Sequence, residues 1–442
     1  MNAVLETQAL SPSSPAGTAP ASKVISLTSE QQLAVQALLD FIADPEPPSM
    51  FFTFAGYAGV GKTFCMREVV ARCSKSLVKF AFTAPTNKAA KELRKVTGSA
   101  TTIYSLLGLR IDKTGELKQV VAGKSSIDLS DYDAILIDEA SMINVNLMNI
   151  LSEKAAIYKV KIIFMGDKAQ LPPVKESISP VWKLPVGASL EKVMRHDNQI
   201  LTLVTEVREV MNSLTPSIRI KSNNDGNEGV WKLSKREFWD SIYDSAVKGE
   251  FADGAAAKVV AWRNVKVAEY NALIRFGIYG AAAVPGHFLP GERIVAASPC
   301  MRQDESLLAT DDEALVEKAT PCKHPFDHRY LALELMVRTE LNKVVRLLVI
   351  HPDSEQQFAA DSQTLAEEAK ANGRLWKKFW DHKDLFHEVK YAYALTTHRA
   401  QGSTYTNVWV DSTDILMNRN RLEAFQCLYV ACSRPTTRLR VM

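Results

Sequence analysis

The stretch Gly56-Tyr57-Ala58-Gly59-Val60-Gly61-Lys62-Thr63 satisfies every fixed position of the pattern G-x-x-x-x-G-K-[ST]. Ahead of it, Met50 to Phe54 is a short apolar, aromatic run; behind it, Phe64 to Cys73 has helical spacing. A buried strand, a tight glycine-bearing turn and a helix N-terminus therefore follow in order, which commits this part of the chain to an α/β framework. Gly56, Gly59 and Gly61 let the backbone curl with its N–H groups inward, and the helix start adds partial positive charge. Such a loop suits a polyphosphate. Lys62 would reach the β- and γ-phosphates, and the Thr63 hydroxyl would ligate Mg²⁺.

Further strands end in chemistry. Ala134 to Ile137 runs into Asp138-Glu139-Ala140-Ser141, an apolar strand delivering two acids to its C-terminal end. Asp138 would bind Mg²⁺ and Glu139 would orient and deprotonate an attacking water. Lys161 to Met165 is the next strand, and Gln170 in the following Gly166–Pro173 segment is placed to sense a γ-phosphate. Val78 to Phe82 ends in Thr83-Ala84-Pro85-Thr86-Asn87 before a helix from Lys88 to Val96; read alone, that loop is a helix cap. Strands alternating with helices predict a mostly parallel, doubly wound sheet with ligands at the strands' C-terminal ends.

Thr28 and Gln31 stand in capping-box relation at the start of a helix through Leu33, Leu38 and Ile42. Spacing leaves two readings of Gln31 open, a fold back onto the Thr28 N–H or recognition of an adenine edge. Leu109–Asp112 and Glu116–Val121 flank the turn Lys113-Thr114-Gly115, which predicts a hairpin inserted into the α/β framework. A second α/β unit starts with a strand at Lys258–Trp262 and a helix from Ala268 to Phe276, is interrupted by a Pro- and Gly-rich insert, and resumes at Tyr391–Leu395. Trp376, Phe379 and Trp380 have the spacing of one helix face, for which core packing is a better reading than base stacking.

Composition excludes little. With 46% hydrophobic and 23% charged residues, the 442-residue chain is an ordinary globular one, long enough for about two to four domains. A net charge of +3 leaves any nucleic-acid partner to be argued from local sites. Six cysteines without paired spacing point to free thiols in a reducing compartment, and no apolar run has membrane-spanning length. Residues 1–23, rich in Ala, Ser and Pro, have neither a signal-peptide nor a transit-peptide pattern and are expected to be a disordered tail. Cys300, Cys322, His324 and His328 could each ligate zinc, but their spacings match no standard finger and no second cysteine pair lies nearby, so zinc is not expected there.

Taken in order, these motifs resemble the superfamily 1 helicases of the RecD-like branch (superfamily 1B), above all the Dda-type helicases of T-even-type bacteriophages. The resemblance runs from about Leu27 to Val441 and is most specific at the phosphate loop, Asp138–Met142, Gly166–Pro173, Leu395–Thr404 and Tyr429–Arg434. It implies two RecA-like parallel-sheet domains forming a P-loop NTPase motor, with an inserted hairpin and an SH3-like accessory domain. The implied boundaries are 24–189 (hairpin about 105–131), 190–283 with 388–442, and 284–387 for the accessory domain.

It also implies that Gln31 reads adenine and that Arg195 and Arg434 reach the γ-phosphate from the second domain. Pro85, Thr86 and Asn87, with His398, Ser403 and Thr404, would hold a single strand. The function so implied is ATP- and Mg²⁺-dependent movement 5′-to-3′ on single-stranded DNA, with forked duplex separated at the hairpin. A single-strand-binding or replisome protein is a candidate further partner, a monomer the default state, and bacterial or phage-infected cytoplasm the setting. Two positions depart from the family: Tyr104 stands where it has a DNA-contacting His, and the hairpin has no aromatic residue. The competing functions are a duplex translocase without strand separation, which has the same motor parts, and a nucleotide switch. The switch's guanine signature N-K-x-D has only the near match Asn87-Lys88-Ala89-Ala90, which lacks the Asp.

Overall fold

The computed structural model describes residues 27–74, 78–111, 117–119, 128–192, 199–211, 213, 216–302 and 305–442. The expected tail and Arg195 lie outside them.

Two six-stranded sheets carry the structure. In the first, the order is Thr101–Thr102, Phe80–Ala84, Ala134–Ile137, Lys161–Gly166, Phe51–Gly56, Ala188–Leu190, and every neighbouring pair is parallel. Successive residues of its central strands alternate between two cores. Phe52, Phe54, Leu136, Ile163 and Met165 face Val35, Leu38, Met66 and Val69. Ile135, Ile137, Ile162 and Phe164 face Leu147 and Leu151 on the other side. Both faces are covered by helices, which is why these strands read as continuous apolar runs. Burial of each such side chain contributes about 1.5–3 kcal/mol. The layout leaves the C-terminal ends of the strands, with the phosphate loop and the two acids, as the polar edge of the sheet.

The second sheet has the order Ala394–Thr396, Ala257–Ala261, Tyr405–Val410, Pro435–Val441, Gly229–Lys232, Asn223–Asn224, parallel except for its last pair. Its core is built on the helices Gln199–Met211 and Arg421–Cys432, the latter buried from Ala424 to Cys432. Between the strands of this sheet the chain builds a five-stranded antiparallel sheet, in the order Val344–Ile350, Leu331–Thr339, Glu313–Lys323, Arg293–Ala296, Val389–Tyr391.

The run expected as one strand at Tyr391–Leu395 is therefore two. Tyr391 pairs with Ile294 of the insert, and Ala394 pairs with Val259 of the second sheet. Burial is continuous through Ala392 and Tyr393, so the apolar pattern gives no sign of the change of sheet. The hairpin is present as antiparallel Leu109–Ile111 and Leu117–Gln119; its turn lies outside the described residues. Trp376, Phe379 and Trp380 share a helix, Trp376–Lys383, but their rings pack on one another and Trp376 stays 37% exposed.

Candidate nucleotide site at the seam of the two sheets

The phosphate loop turns as the glycines require. Gly59 and Gly61 have φ of 79° and 89°, and the helix Lys62–Cys73 starts directly after Gly61. The Lys62 ammonium donates to the carbonyls of Gly56 (2.5 Å) and Tyr57 (3.0 Å), so its charge lies over the mouth of the loop. Thr63, at the second helical position, is exposed.

Gln31 does two things at once. Its Oε1 accepts from the Thr28 N–H at 3.1 Å while the Thr28 hydroxyl accepts from the Gln31 N–H at 3.3 Å, closing the capping box. Its Nε2 donates to the Val60 carbonyl at 3.0 Å, inside the phosphate loop. A Cβ on Gly61 would lie 2.5 Å from that same Nε2. The two readings left open by spacing do not exclude one another, because the cap uses only the amide oxygen.

Asp138 and Glu139 follow the strand Ala134–Ile137. Glu139 has φ of 52°, a left-handed conformation uncommon for a residue with a Cβ. Burial raises the Asp138 carboxyl, although its Oδ1 accepts the Glu139 N–H at 2.8 Å. Burial, then the charge of Asp138, push Glu139 up to about 7 against the opposing pull of Arg434 and Lys62. Glu139 Oε2 and Gln170 Oε1 are buried with no hydrogen-bond partner among the described residues. Two orphaned oxygens beside an ammonium-bearing loop fit a triphosphate with its metal and attacking water, which would supply their partners.

The second unit closes over this site. The Tyr57 ring stacks under the Arg208 guanidinium at 4.0 Å, and a Cβ on Gly59 would meet Leu201 at 2.9 Å, both from the helix Gln199–Met211. The Tyr429 hydroxyl accepts from the Ala58 N–H at 3.0 Å and donates to Asp167 Oδ2 at 2.5 Å. Gln426 and Gln401 donate to the carbonyls of Gln170 (3.4 Å) and Leu171 (3.5 Å). Arg434 is buried, with Nε, Nη1 and Nη2 on Val430 O, Ser403 O and Ser433 Oγ, and its charge is felt at Glu139. Arg195 is the one expected member of the group whose position is not described.

The strand-holding candidates also meet across the seam. Thr86 Oγ1 accepts from the Ala89 N–H at 3.2 Å, capping the helix Asn87–Thr97, with Pro85 buried before it. On the other side, a Cβ on Gly402 would lie 3.1 Å from the Ala89 Cβ, so the loop carrying Ser403 and exposed Thr404 abuts that helix. Ser403 Oγ is buried without a partner among the described residues. His398 lies 3.9 Å from Glu423, and burial lowers its pKa. Tyr104 packs against the first sheet's core on the short helix Ile103–Leu106.

His324, one of the four residues weighed and set aside as zinc ligands, is spent on local structure: Nε2 on the Leu385 carbonyl, and Nδ1 accepting from the N–H groups of Phe326 and Asp327. Cys300 is buried in the insert's core. Sequence reasoning gave no role to Tyr429, Asp167 or Arg208. The first two lie inside motifs already singled out, which was the available signal; their pairing is visible only in the structure.

Comparison with known proteins agrees with this geometry. Residues 26–215 match the AAA domain family and residues 391–442 the UvrD-like helicase C-terminal domain. The ATP-dependent DNA helicase dda of Enterobacteria phage T4 is 26% identical over 415 residues, covering 86% of this chain and 92% of that one. A RecBCD enzyme subunit RecD from Buchnera aphidicola is 27% identical over 241 residues, covering 44% of this chain and 37% of that one. The chain is a homologue of the superfamily 1B helicases. The fold is also similar to that of a solved structure: Pif1 helicase from Bacteroides in complex with ADP-AlF3 and ssDNA superposes with a TM-score of 0.51 at 15% identity, over 94% of this chain and 92% of that one. Protein R530 of Acanthamoeba polyphaga mimivirus is 24% identical over 504 residues, spanning 93% of this chain and 99% of its own length. Among the described residues, no helix is long and apolar enough to cross a membrane.

Proposed function

We propose that this protein is an ATP-dependent DNA helicase that moves 5′-to-3′ along single-stranded DNA and separates the duplex ahead of it. The observation that carries the reading is the composite site: the phosphate loop of one sheet is held by Leu201, Arg208 and Tyr429 of the other. A nucleotide at that loop lies in a cleft whose two walls belong to different units, so binding and hydrolysis change the relation between them. The Thr86 and Ser403 loops sit on the same two units and alternate their grip on a strand as the cleft closes and opens. Phosphate contacts of this kind are indifferent to base sequence.

Within the site, Lys62 and the loop N–H groups bind the β- and γ-phosphates, and Glu139 accepts the proton of the attacking water. Gln170 bridges that water and the γ-phosphate, while Arg195 and Arg434 stabilise transition-state charge from the second unit. Thr63 and Asp138 would hold Mg²⁺, which supplies charge neutralisation at the phosphate oxygens. Gln31, fixed to Val60, is placed beside the loop to read adenine. We assign the motor domains to 24–189 and to 190–283 with 388–442, and the antiparallel insert of 284–387 to an SH3-like accessory domain. The hairpin between Leu109 and Val121 is the wedge, working with aliphatic groups. Six unpaired cysteines suit a reducing cytoplasm.

Single-stranded DNA should stimulate ATP hydrolysis strongly and blunt duplex weakly. Equal stimulation by the two would favour a duplex translocase, and none by either a nucleotide switch. Arg434→Ala should cost about a thousandfold in stimulated turnover.

A further inference from the structure

Tyr429 sits in the helix Arg421–Cys432 with its ring buried in the second unit's core, yet its hydroxyl leaves that core and enters the first unit. There the phenol has one proton to give, and it goes to the Asp167 carboxylate; its lone pair takes the Ala58 N–H. Burial and the charge of Asp167 hold the hydroxyl well above its ordinary pKa, so it stays a donor. Asp167 is itself fixed, its Oδ1 accepting the Ala169 N–H at 2.9 Å, one residue before Gln170.

A single hydroxyl thus ties three things: the apex of the phosphate loop, the loop that carries Gln170, and the helix that leads into Arg434. The other ties across the seam lack this reach. Gln426 and Gln401 bind carbonyls beyond Asp167 and do not touch the phosphate loop, and the stack of Arg208 on Tyr57 sets no hydrogen-bond direction.

We propose that Tyr429 is a positioning residue that registers the second unit on the phosphate loop, so that Gln170 and Arg434 reach the γ-phosphate together. The inference rests on the motor reading above. It requires the hydroxyl to act on turnover and not on nucleotide capture, because Lys62 and the remaining loop N–H groups lie wholly within the first unit. Tyr429→Phe keeps the buried ring and removes both bonds.

The test uses the full chain, with three measurements on wild type, Tyr429→Phe, Asp167→Asn and the double variant: binding of a fluorescent ADP, ATP turnover with saturating single-stranded DNA, and thermal midpoint. Tyr429→Phe should lose about tenfold or more in kcat while the ADP Kd stays within about twofold. The double variant should lose little beyond the larger single loss, since both residues act through one link. Turnover of Tyr429→Phe within about twofold of wild type would overturn the proposal. So would additive losses in the double variant, or an ADP affinity and thermal midpoint that fall in step with kcat, which mark a merely structural role. Failure of the motor reading looks different: wild-type turnover itself does not respond to DNA.

Discussion

The Lys258 ammonium, on the second sheet, lies 3.0 and 2.9 Å from the two carboxylate oxygens of Glu313, on the insert. Lys88, two residues after Thr86 on the first unit, reaches the same carboxylate at 3.3 Å. One buried acid therefore joins all three parts of the chain. Burial alone would raise the Glu313 carboxyl, but Lys258 and then Lys88 outweigh it and hold it below the usual carboxylate range.

Glu313→Gln should be strongly destabilising, by about 3–5 kcal/mol, because it strands the Lys258 charge in the interior. Denaturant unfolding with tertiary probes in the insert and the second sheet checks this. The pH dependence has a definite sign. With its folded pKa depressed below an unfolded value of about 4.3, Glu313 contributes fully above that value and its contribution is lost as pH falls through the folded pKa. Wild type and Glu313→Gln should therefore converge in stability only in acid, below about pH 4.

Gln31 makes its cap with Oε1 and its phosphate-loop bond with Nε2, so the two roles can be separated. Gln31→Glu keeps an acceptor for the Thr28 N–H and replaces the donor to Val60 by a carboxylate oxygen. Because that oxygen is buried and faces the Val60 carbonyl, KM for ATP should rise about tenfold, a loss of about 1.4 kcal/mol in binding, together with a fall in the thermal midpoint. Steady-state kinetics alongside a melting curve decides it; a fall in stability with unchanged KM would leave Gln31 a cap alone.

Glu139 must be ionised to take the proton of water, and its pKa is pushed up to about 7. Turnover should fall on the acid side of that value and level off above it. Glu139→Gln should retain nucleotide binding and lose about 10²–10⁴-fold in hydrolysis. A pH–rate profile flat from pH 6 to 8 would remove Glu139 from the role of base, about one unit either side of its pKa being enough to show the limb.

Much of the first sheet was legible because its motifs are local. The phosphate loop, the acids after Ala134–Ile137 and the Gly166–Pro173 turn each carry their chemistry within a few residues of a strand end. What was not legible depends on approach in space. Tyr429 finds Ala58 at a separation of 371 residues, and nothing in the spacing of either segment announces it. Gln31 was readable as a cap or as a ligand, but only the placement of Val60 beside it shows that one amide serves two partners. At Tyr391–Leu395 the chain changes sheets inside an unbroken buried run, where periodicity has no means of marking the crossing. The aromatic trio at 376–380 has a core-like period; its rings meet one another, Phe379 and Trp380 are half-buried, and Trp376 stays exposed.

The central claim is directional movement by a two-unit motor, and one comparison tests it most directly. Two partial duplexes are prepared, identical in sequence and length, one with a 5′ single-stranded tail and the other with a 3′ tail. Strand separation is followed after adding ATP and Mg²⁺ under single-turnover conditions with a trap for released protein. The account predicts efficient ATP-dependent unwinding from the 5′ tail and next to none from the 3′ tail. Efficient unwinding from the 3′ tail alone would contradict it.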